Sequence, residues 1–258
     1  MHRVASLNWP GLLTVVALLC LWQALVAGGV VEFEYLPAPA AIADAAGRLA
    51  VSGALAETTA HTLRVVLLGW LAAGTIGIAL GLLLGISGGA WRWSMASLEA
   101  VRAVPPISLV PVALLIFGFS VRMELTIIVY AAAWPVMINT IDGARSVRPE
   151  LLQVARMLHL SRPQTVLRII LPAALPLAIV GLRLALSFAL LAIVAEVAGN
   201  PSGLGNAIVS AQQALRPDEM FAYVLAIGVL GVALNAAFGL LVARTIPVLA
   251  GVRTTRTR

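Results

Sequence analysis

Apolar residues occur along this chain in six long runs, which are separated by shorter polar segments. A helix that crosses the hydrocarbon core of a bilayer needs about 20 mostly apolar residues. Inside lipid, a helix is the form in which a single span satisfies its own backbone polar groups. The pattern therefore predicts an all-α, polytopic membrane protein with six transmembrane helices. The expected spans are Pro10–Gly28, Val65–Ile86, Val104–Ser120, Leu125–Ile141, Leu171–Ala195 and Met220–Ala243.

The segments between the runs give the expected organisation. Only the sequence VRME at 121–124 separates the third run from the fourth, which predicts a tight helical hairpin. Ala-rich residues 40–56 follow two prolines and predict a short helix lying across the outer face. We divide the chain into a first helix with its external segment at 1–56, a main transmembrane domain at 57–247 with a cytoplasmic loop at 143–172, and a basic tail at 248–258.

The composition supports membrane insertion. Hydrophobic residues make up 61% of the chain and charged residues 11%, whereas a soluble domain carries about 25% charged residues. The net charge of +6 does not indicate a nucleic-acid partner, because the basic residues lie at the ends of the apolar runs. All 17 basic residues are arginine. A Walker A loop needs a lysine on the phosphates, so we expect ATP energy to come from a partner.

The arginines also predict the orientation. With six spans, both tails and the second and fourth loops share one side, which carries 12 arginines against 4 on the other. The positive-inside rule places the first set in the cytoplasm, together with both termini and residues 142–170.

Residues 149–172 form a polar segment between two apolar spans. Pro149 suits the first turn of a helix, and Leu151, Ala155 and Leu158 would form one apolar stripe on it. Ser161 can cap a second short helix. The two helices would form an elbow with an arginine rim. The spacing alone leaves two interpretations open: a partner docks on the elbow, or the segment lies on anionic lipid.

Residues 153–172, QVARMLHLSRPQTVLRIILP, resemble the "EAA" loop of ABC-importer permeases, on which the family's ATPase docks. The resemblance implies that the elbow transmits force through Ala155, Leu158, His159 and Leu160. Two positions depart from the consensus: a glutamine replaces the acidic first residue and a histidine replaces the elbow glycine. The matching positions are Gln153, Val154 and Ala155 at the triplet, His159 at the glycine, Leu160 after it, Val166 at a phenylalanine, and Leu171 with Pro172 at the closing pair.

Three further motifs occur in the family's order: LPAP at 36–39, RAVPP at 102–106 followed by a proline and FG, and GLG at 203–205. Together they are most similar to type I, binding-protein-dependent permeases for sulfonates, taurine, nitrate and thiamine-precursor-like molecules. The resemblance implies a homodimer in a prokaryotic cytoplasmic membrane, two ATPase subunits inside and a solute-binding protein outside. The expected cargo is a small anion, with a thiamine-precursor-like molecule as the alternative.

A passive channel would need neither the elbow nor a motor. An intramembrane enzyme would need a motif such as HExxH, GxSxG or paired carboxylates, and none supports this class. The single GxSxG string, GISGG at 85–89, lies at the end of an apolar helical run and does not follow a strand. We expect no catalytic residue, no cofactor and no metal site.

Two ionisable residues fall within or near the fifth span. Arg183 lies about 16 Å along the helix from Pro172, near the middle of the bilayer, and Glu196 lies about 20 Å further. Arg183 could contact an anionic substrate, or it could be structural and bind a polar neighbour such as Asn139 or Ser187. Pro105 and Pro106 would kink the third span. The candidate translocation-path residues are therefore Pro105, Pro106, Arg183 and Glu196.

Overall fold

The computed structural model describes residues 9–30, 33, 35–198 and 200–245, and within these ranges the regular structure is helical. The predicted basic tail lies outside the described residues. In chain order the helices are α1 Trp9–Ala27, α2 Pro39–Val51, α3 Ala54–Ile86, α4 Gly88–Arg102, α5 Val110–Phe117, α6 Val121–Arg145, α7 Pro149–Met157, α8 Arg162–Thr165, α9 Leu171–Ala189, α10 Ala192–Val197, α11 Gly203–Gln213 and α12 Pro217–Thr245. A 3₁₀ turn, Pro106–Leu109, precedes α5, and a π-helical turn, Val166–Ile170, precedes α9.

Among the described residues, five long apolar helical stretches have the length and composition of membrane spans, and a bent helix pair makes a sixth if it counts as one span. This agrees with the predicted number. The five stretches are α1, α3, α6, the stretch Arg162–Val197 that includes α9, and α12.

The third span has the kink predicted at its prolines, but the bent pair begins at Gly88 and not at Val104. Helix α4 and the segment Pro106–Phe117 meet at an angle of 77°. Pro105 lies at this break with an extended backbone, because a residue that precedes a proline is disfavoured in the helical region. The expected hairpin also shifts: α5 ends at Phe117, the turn is 118–120, and VRME forms the first turn of α6.

Helix α3 is longer than the predicted second span, because it begins at Ala54 rather than at Val65. Its 33 residues extend for about 50 Å, which exceeds a hydrocarbon core of about 30 Å. The additional turns carry Glu57, His61 and Arg64 on a helix rather than in a loop. The short helix predicted at 40–56 is present as α2, but it ends at Val51, and residues 54–56 belong to α3.

Helix α6 packs between α3 and α9, and small residues permit the close approach. Glycines four residues apart on α3 face α6, and a Cβ added at Gly77 would lie 2.7 Å from Cβ of Val136. Gly181 of α9 approaches α6 in the same way, since its added Cβ would lie 2.7 Å from the carbonyl oxygen of Pro135. Small residues at such spacing let the backbones of membrane helices come together. The α3–α6 pairs are Gly77 with Val136, Gly81 with Thr140, and Gly85 with Ala144.

Helix α1 lies at the periphery and contributes no buried residue. Its contact with the rest of the chain includes Trp22, whose ring meets Phe221 of α12 edge to face. Trp22 also packs against a small apolar cluster formed by Ile42, Ala45 and Ala222. The main packing unit is therefore α3, α6 and α9, and α1 is an addition to it.

Candidate functional site

The elbow begins as the sequence predicts. Pro149 occupies the first turn of α7, where its missing N–H removes no helical hydrogen bond. Glu150 follows in the same turn, where a carboxylate interacts favourably with the positive end of the helix dipole. Helix α7 then runs for nine residues to Met157.

The elbow turn is a Schellman motif built on His159. The backbone N–H of His159 donates to the carbonyl of Arg156, and that of Leu160 donates to the carbonyl of Ala155, each at 3.0 Å. His159 has a φ of 49°, the left-handed conformation that this position requires. Glycine usually occupies it because it has no Cβ. The family's elbow glycine therefore has a backbone explanation, and His159 adopts the same geometry.

The predicted cap, Ser161, is present at the start of α8. The backbone N–H of Ser161 donates to Oε1 of Gln164 at 2.9 Å, and the N–H of Gln164 donates to the Ser161 hydroxyl at 3.5 Å. This reciprocal pair is a capping box. The π-helical turn then leads directly into Pro172, whose ring would clash with a carbonyl four residues earlier in a regular helix.

The two faces of the elbow differ from the predicted stripe. Ala155 is only 2% exposed, so its side chain packs inward and does not project as a knob. The exposed apolar side chains of α7 and its C-cap are Leu151, Val154, Met157 and Leu158, of which Met157 is 77% and Leu158 65% exposed. Ala155 and Met157 lie on nearly opposite sides of the helix, because two residues are separated by about 200° at 3.6 residues per turn.

A cleft of about 970 Å³ lies between the elbow and the ends of α3 and α6. Ala155 and Leu160 contribute to its apolar lining, while Arg145, Arg156 and Arg162 give it a basic character. The guanidinium of Arg145 also lies 5.3 Å from the ring centroid of Trp91, a cation–π contact that joins α6 to α4. The elbow therefore combines exposed apolar side chains with an adjacent basic cleft.

The remaining elbow positions are distributed along its surface. Gln153 and His159 are exposed, Leu160 and Leu171 are half-buried, and Pro172 is exposed at the start of α9. The side chain at the acidic position of the consensus is thus accessible, although here it is a neutral amide.

The structure does not bring the four path candidates into one group. Pro105 and Pro106 lie at the bend between α4 and α5. Arg183 donates from Nε to Oδ1 of Asn235 on α12 at 3.0 Å, rather than to Asn139 or Ser187. Glu196 is fully buried and is hydrogen-bonded by Thr62 and by the backbone N–H of Gly205.

Comparison with known proteins identifies the family. Residues 75–248 match the family described as the inner membrane component of binding-protein-dependent transport systems. The match covers more than half of the chain and includes the whole elbow. The chain belongs to this family. It is the permease of an ABC importer, as the sequence motifs predict.

Curated relatives of the permease agree with this assignment. The putative aliphatic sulfonates transport permease protein SsuC of Bacillus subtilis (strain 168) is 35% identical over 222 residues, which are 86% of this chain and 80% of that protein. The nitrate import permease protein NrtB of Leptolyngbya laminosa is 34% identical over 189 residues, or 73% of this chain and 68% of the relative.

A solved structure shares the fold. An inward-facing conformation of the MetNI methionine ABC transporter aligns with a TM-score of 0.52 and 18% sequence identity. The alignment covers 69% of this chain and 92% of that chain.

Sequence reasoning missed some surface features of the permease elbow. Met157 was omitted although it lies three residues after Val154, the spacing that places two side chains on one helix face. In the segment that follows, Leu167 is exposed, whereas Ile170 is buried. A stripe centred on Val154 and Met157 would have identified the outward face of α7.

Proposed function

We propose that this permease spans the cytoplasmic membrane of a prokaryote and imports a small anion, and that a separate ATPase drives it by docking on the elbow α7–α8. The observation that carries the proposal is the pair Met157 and Leu158, two large apolar side chains exposed beside an arginine-lined cleft. Exposed apolar anchors with a polar rim are typical of protein docking sites.

The orientation follows from charge. The elbow side carries most of the chain's arginines, and the positive-inside rule assigns that side, with both termini, to the cytoplasm. ATP is available there, which is consistent with docking of a motor on the elbow. An in-frame reporter fusion after Thr245 that reports an external location would contradict this orientation.

The permease itself is a non-catalytic subunit in this proposal. The chain has no lysine, so it cannot supply the phosphate-binding lysine of a Walker A loop. Hydrolysis of ATP is accordingly assigned to the partner. This assignment favours an importer over a passive channel, which would have no use for a docking elbow.

The working unit is proposed to contain two permease copies, two ATPase subunits and an external solute-binding protein. The described residues of one chain provide five or six spans, which are too few to enclose a solute path. Trp93, Ile107 and Leu115 expose apolar side chains on the bent α4–α5 pair, which supports its use as a face toward the second copy or lipid. Crosslinking of cysteines on α5 that yields monomers alone in an active complex would contradict the dimer.

The cargo proposal rests on the relatives. One imports nitrate and another is named for aliphatic sulfonates, and both cargoes carry negative charge. The net charge of +6 on the chain is compatible with an anion. Uptake of labelled nitrate or of an alkanesulfonate by the reconstituted importer would test the class, and uptake of neither, with import of a thiamine precursor, would overturn it.

Docking can be tested with Met157→Asp and Leu158→Asp. Each change places a charge on an exposed side chain, so the fold should persist while an apolar ATPase pocket would reject the charge. We expect co-purification of the ATPase and permease-stimulated ATP turnover to fall at least about tenfold, which corresponds to a loss of about 1.4 kcal/mol in binding. Ala155→Asp is a poor probe because it buries a carboxylate within the elbow itself.

Leu215→Asp is the matched control. Leu215 is 69% exposed, similar to Leu158, but it lies between α11 and α12 at the opposite end of the spans. This variant should retain ATPase binding. Normal binding in both elbow variants, together with loss of their binding to anionic vesicles, would instead support the lipid-surface interpretation of the elbow.

A further inference from the structure

Three ionisable side chains from three different helices meet near the ends of α3, α6 and α10. His61 comes from α3, Glu124 from the first turn of α6 and Glu196 from α10. One ligand atom from each residue can be chosen so that all three lie within 4.8 Å of one another. The cluster is at the opposite end of α6 from the elbow, so ATPase docking does not involve it.

Burial at this cluster is complete for the carboxylates. Glu124 and Glu196 are fully buried, while the side chain of His61 keeps 23% of its surface exposed. Two buried carboxylates so close together require a compensating positive charge or a proton. The exposed edge of His61 provides a route by which an ion could enter.

The hydrogen bonds of the cluster do not use two of its possible ligand atoms. Oε1 of Glu196 accepts from the Thr62 hydroxyl at 2.7 Å, and its Oε2 accepts from the backbone N–H of Gly205 at 2.8 Å. Oε1 of Glu124 accepts from the amide of Asn200. Oε2 of Glu124 and Nε2 of His61, however, are buried and have no hydrogen-bond partner among the described residues.

The geometry of these two atoms fits a metal ion. Oε2 of Glu124 and Nε2 of His61 are 3.5 Å apart, a distance that suits an ion pair if the imidazole is protonated and also suits two ligands of one metal ion. Two ligands bonded to Zn²⁺ at about 2.1 Å in a tetrahedral arrangement are separated by about 3.4 Å. One imidazole with carboxylates is a donor set that suits first-row divalent transition metals. Two carboxylates and one divalent cation also leave no net charge.

The hydrogen bonds to the two carboxylates resemble those that hold the ligands of a metal site in position. Thr62 and Gly205 fix the Glu196 carboxylate, and Asn200 fixes that of Glu124. Such outer bonds orient ligands and raise affinity. Gly203 is required next to them, because a Cβ there would lie 2.2 Å from the carboxyl carbon of Glu196.

We propose that His61, Glu124 and Glu196 form a binding site for a divalent transition-metal ion such as Zn²⁺, which ties α3, α6 and α10 together at the end of the spans opposite the elbow. Three protein ligands leave a fourth position for water. Because the three residues are more than 60 positions apart, no spacing pattern in the sequence indicates this site. The proposal does not depend on the identity of the transported solute.

The test uses the full-length permease purified through a tag without histidine. The protein is treated with a chelator, incubated with one equivalent of Zn²⁺, desalted and examined by elemental analysis and thermal unfolding. We expect one Zn²⁺ per chain and a higher unfolding temperature with the metal than without it, because a ligand that binds only the folded state stabilises it. Failure of the wild-type protein to retain Zn²⁺ would overturn the proposal without reference to any variant.

Two variants locate the metal. Glu124→Gln preserves the size of the side chain and an oxygen for Asn200 but removes the anionic ligand, and His61→Gln removes the imidazole. Each should lower Zn²⁺ affinity by about tenfold or more and abolish the thermal shift. Glu57→Gln is the control, since it removes an exposed carboxylate one turn earlier on α3 and should bind Zn²⁺ like the wild type.

A proton shared by the carboxylates is the competing explanation. In that case the metal-free Glu124→Gln variant would be as stable as the wild type, and Zn²⁺ would stabilise neither protein. That result, or wild-type Zn²⁺ retention by Glu124→Gln, would refute the metal site.

Discussion

Nε of Arg183 donates to Oδ1 of Asn235 at 3.0 Å, and this bond joins α9 to α12 within the span region. A guanidinium in the middle of a bilayer is costly unless it has permanent partners. Asn235 provides one such partner in the absence of any solute. The relationship favours a structural role for Arg183 over a role limited to substrate contact.

Arg183→Gln and Asn235→Ala should therefore each destabilise the permease. Interhelical hydrogen bonds in membrane proteins contribute about 0.6 kcal/mol on average and up to about 1.7 kcal/mol, so we expect a loss near 1 kcal/mol in each variant. Because both changes remove the same bond, the double variant should lose less than the sum of the two. The measurement is the free energy of unfolding in mixed micelles.

A transport assay can contradict the structural role of Arg183. If Arg183→Gln assembles and unfolds like the wild type but no longer imports solute, the guanidinium acts on the substrate and not on the bundle. Asn235→Ala is the matched comparison, since it removes the same bond while it retains the positive charge.

The bent third span shows what the apolar pattern can predict and what it cannot. The prolines at 105 and 106 predict a kink, and the structure has a 77° bend there. The sequence did not predict that residues 88–102 form a helix of their own, because Arg92 and Glu99 interrupt the apolar pattern. Patterning thus locates lipid-facing spans well, but it does not identify a partly polar helix that continues one of them.

The elbow and the buried cluster show what depends on tertiary structure. Local rules predict Pro149 at a helix start and Ser161 at a cap, because these signals involve neighbours in sequence. The burial of Ala155 depends instead on where the ends of α3 and α6 lie. The meeting of His61, Glu124 and Glu196 likewise depends on how three helices pack, so sequence spacing contains no sign of it.

Helix packing gives a direct prediction at Gly77. An added Cβ would lie 2.7 Å from Cβ of Val136 and 2.9 Å from the carbonyl oxygen of Ala133, so α3 and α6 must separate to accept alanine. Overpacking of this kind costs about 1–3 kcal/mol. Gly77→Ala should lower the unfolding temperature of the purified permease accordingly.

Gly239→Ala is the control for this packing. Gly239 lies on α12, and an added Cβ there would have no atom within 4 Å among its described neighbours. Alanine should therefore be tolerated or slightly stabilising, because it favours a helix over glycine by about 1 kcal/mol. Equal destabilisation by both substitutions would show that the close α3–α6 contact contributes little to the stability of the permease.

The elbow turn gives the last prediction, at His159. Its φ of 49° places an L-residue in the left-handed region, which costs about 1–2 kcal/mol relative to the right-handed one. Glycine occupies this region without that cost, although it loses more backbone entropy on folding. We expect His159→Gly to stabilise the turn by about 0.5–1 kcal/mol and to slow hydrogen exchange at the amides of residues 159 and 160.

Leu215→Gly separates a backbone effect from a docking effect. Leu215 also has a positive φ, 54°, but it lies at the other end of the bundle, so its replacement should increase protection there and leave ATPase binding unchanged. His159→Gly should increase protection at the elbow and preserve or strengthen ATPase binding, because a better-ordered elbow loses less entropy on docking. Faster exchange at the elbow in His159→Gly would mean that the imidazole makes a stabilising contact that outweighs the left-handed backbone. The explanation of the family's elbow glycine by the Schellman turn would then not apply to this chain.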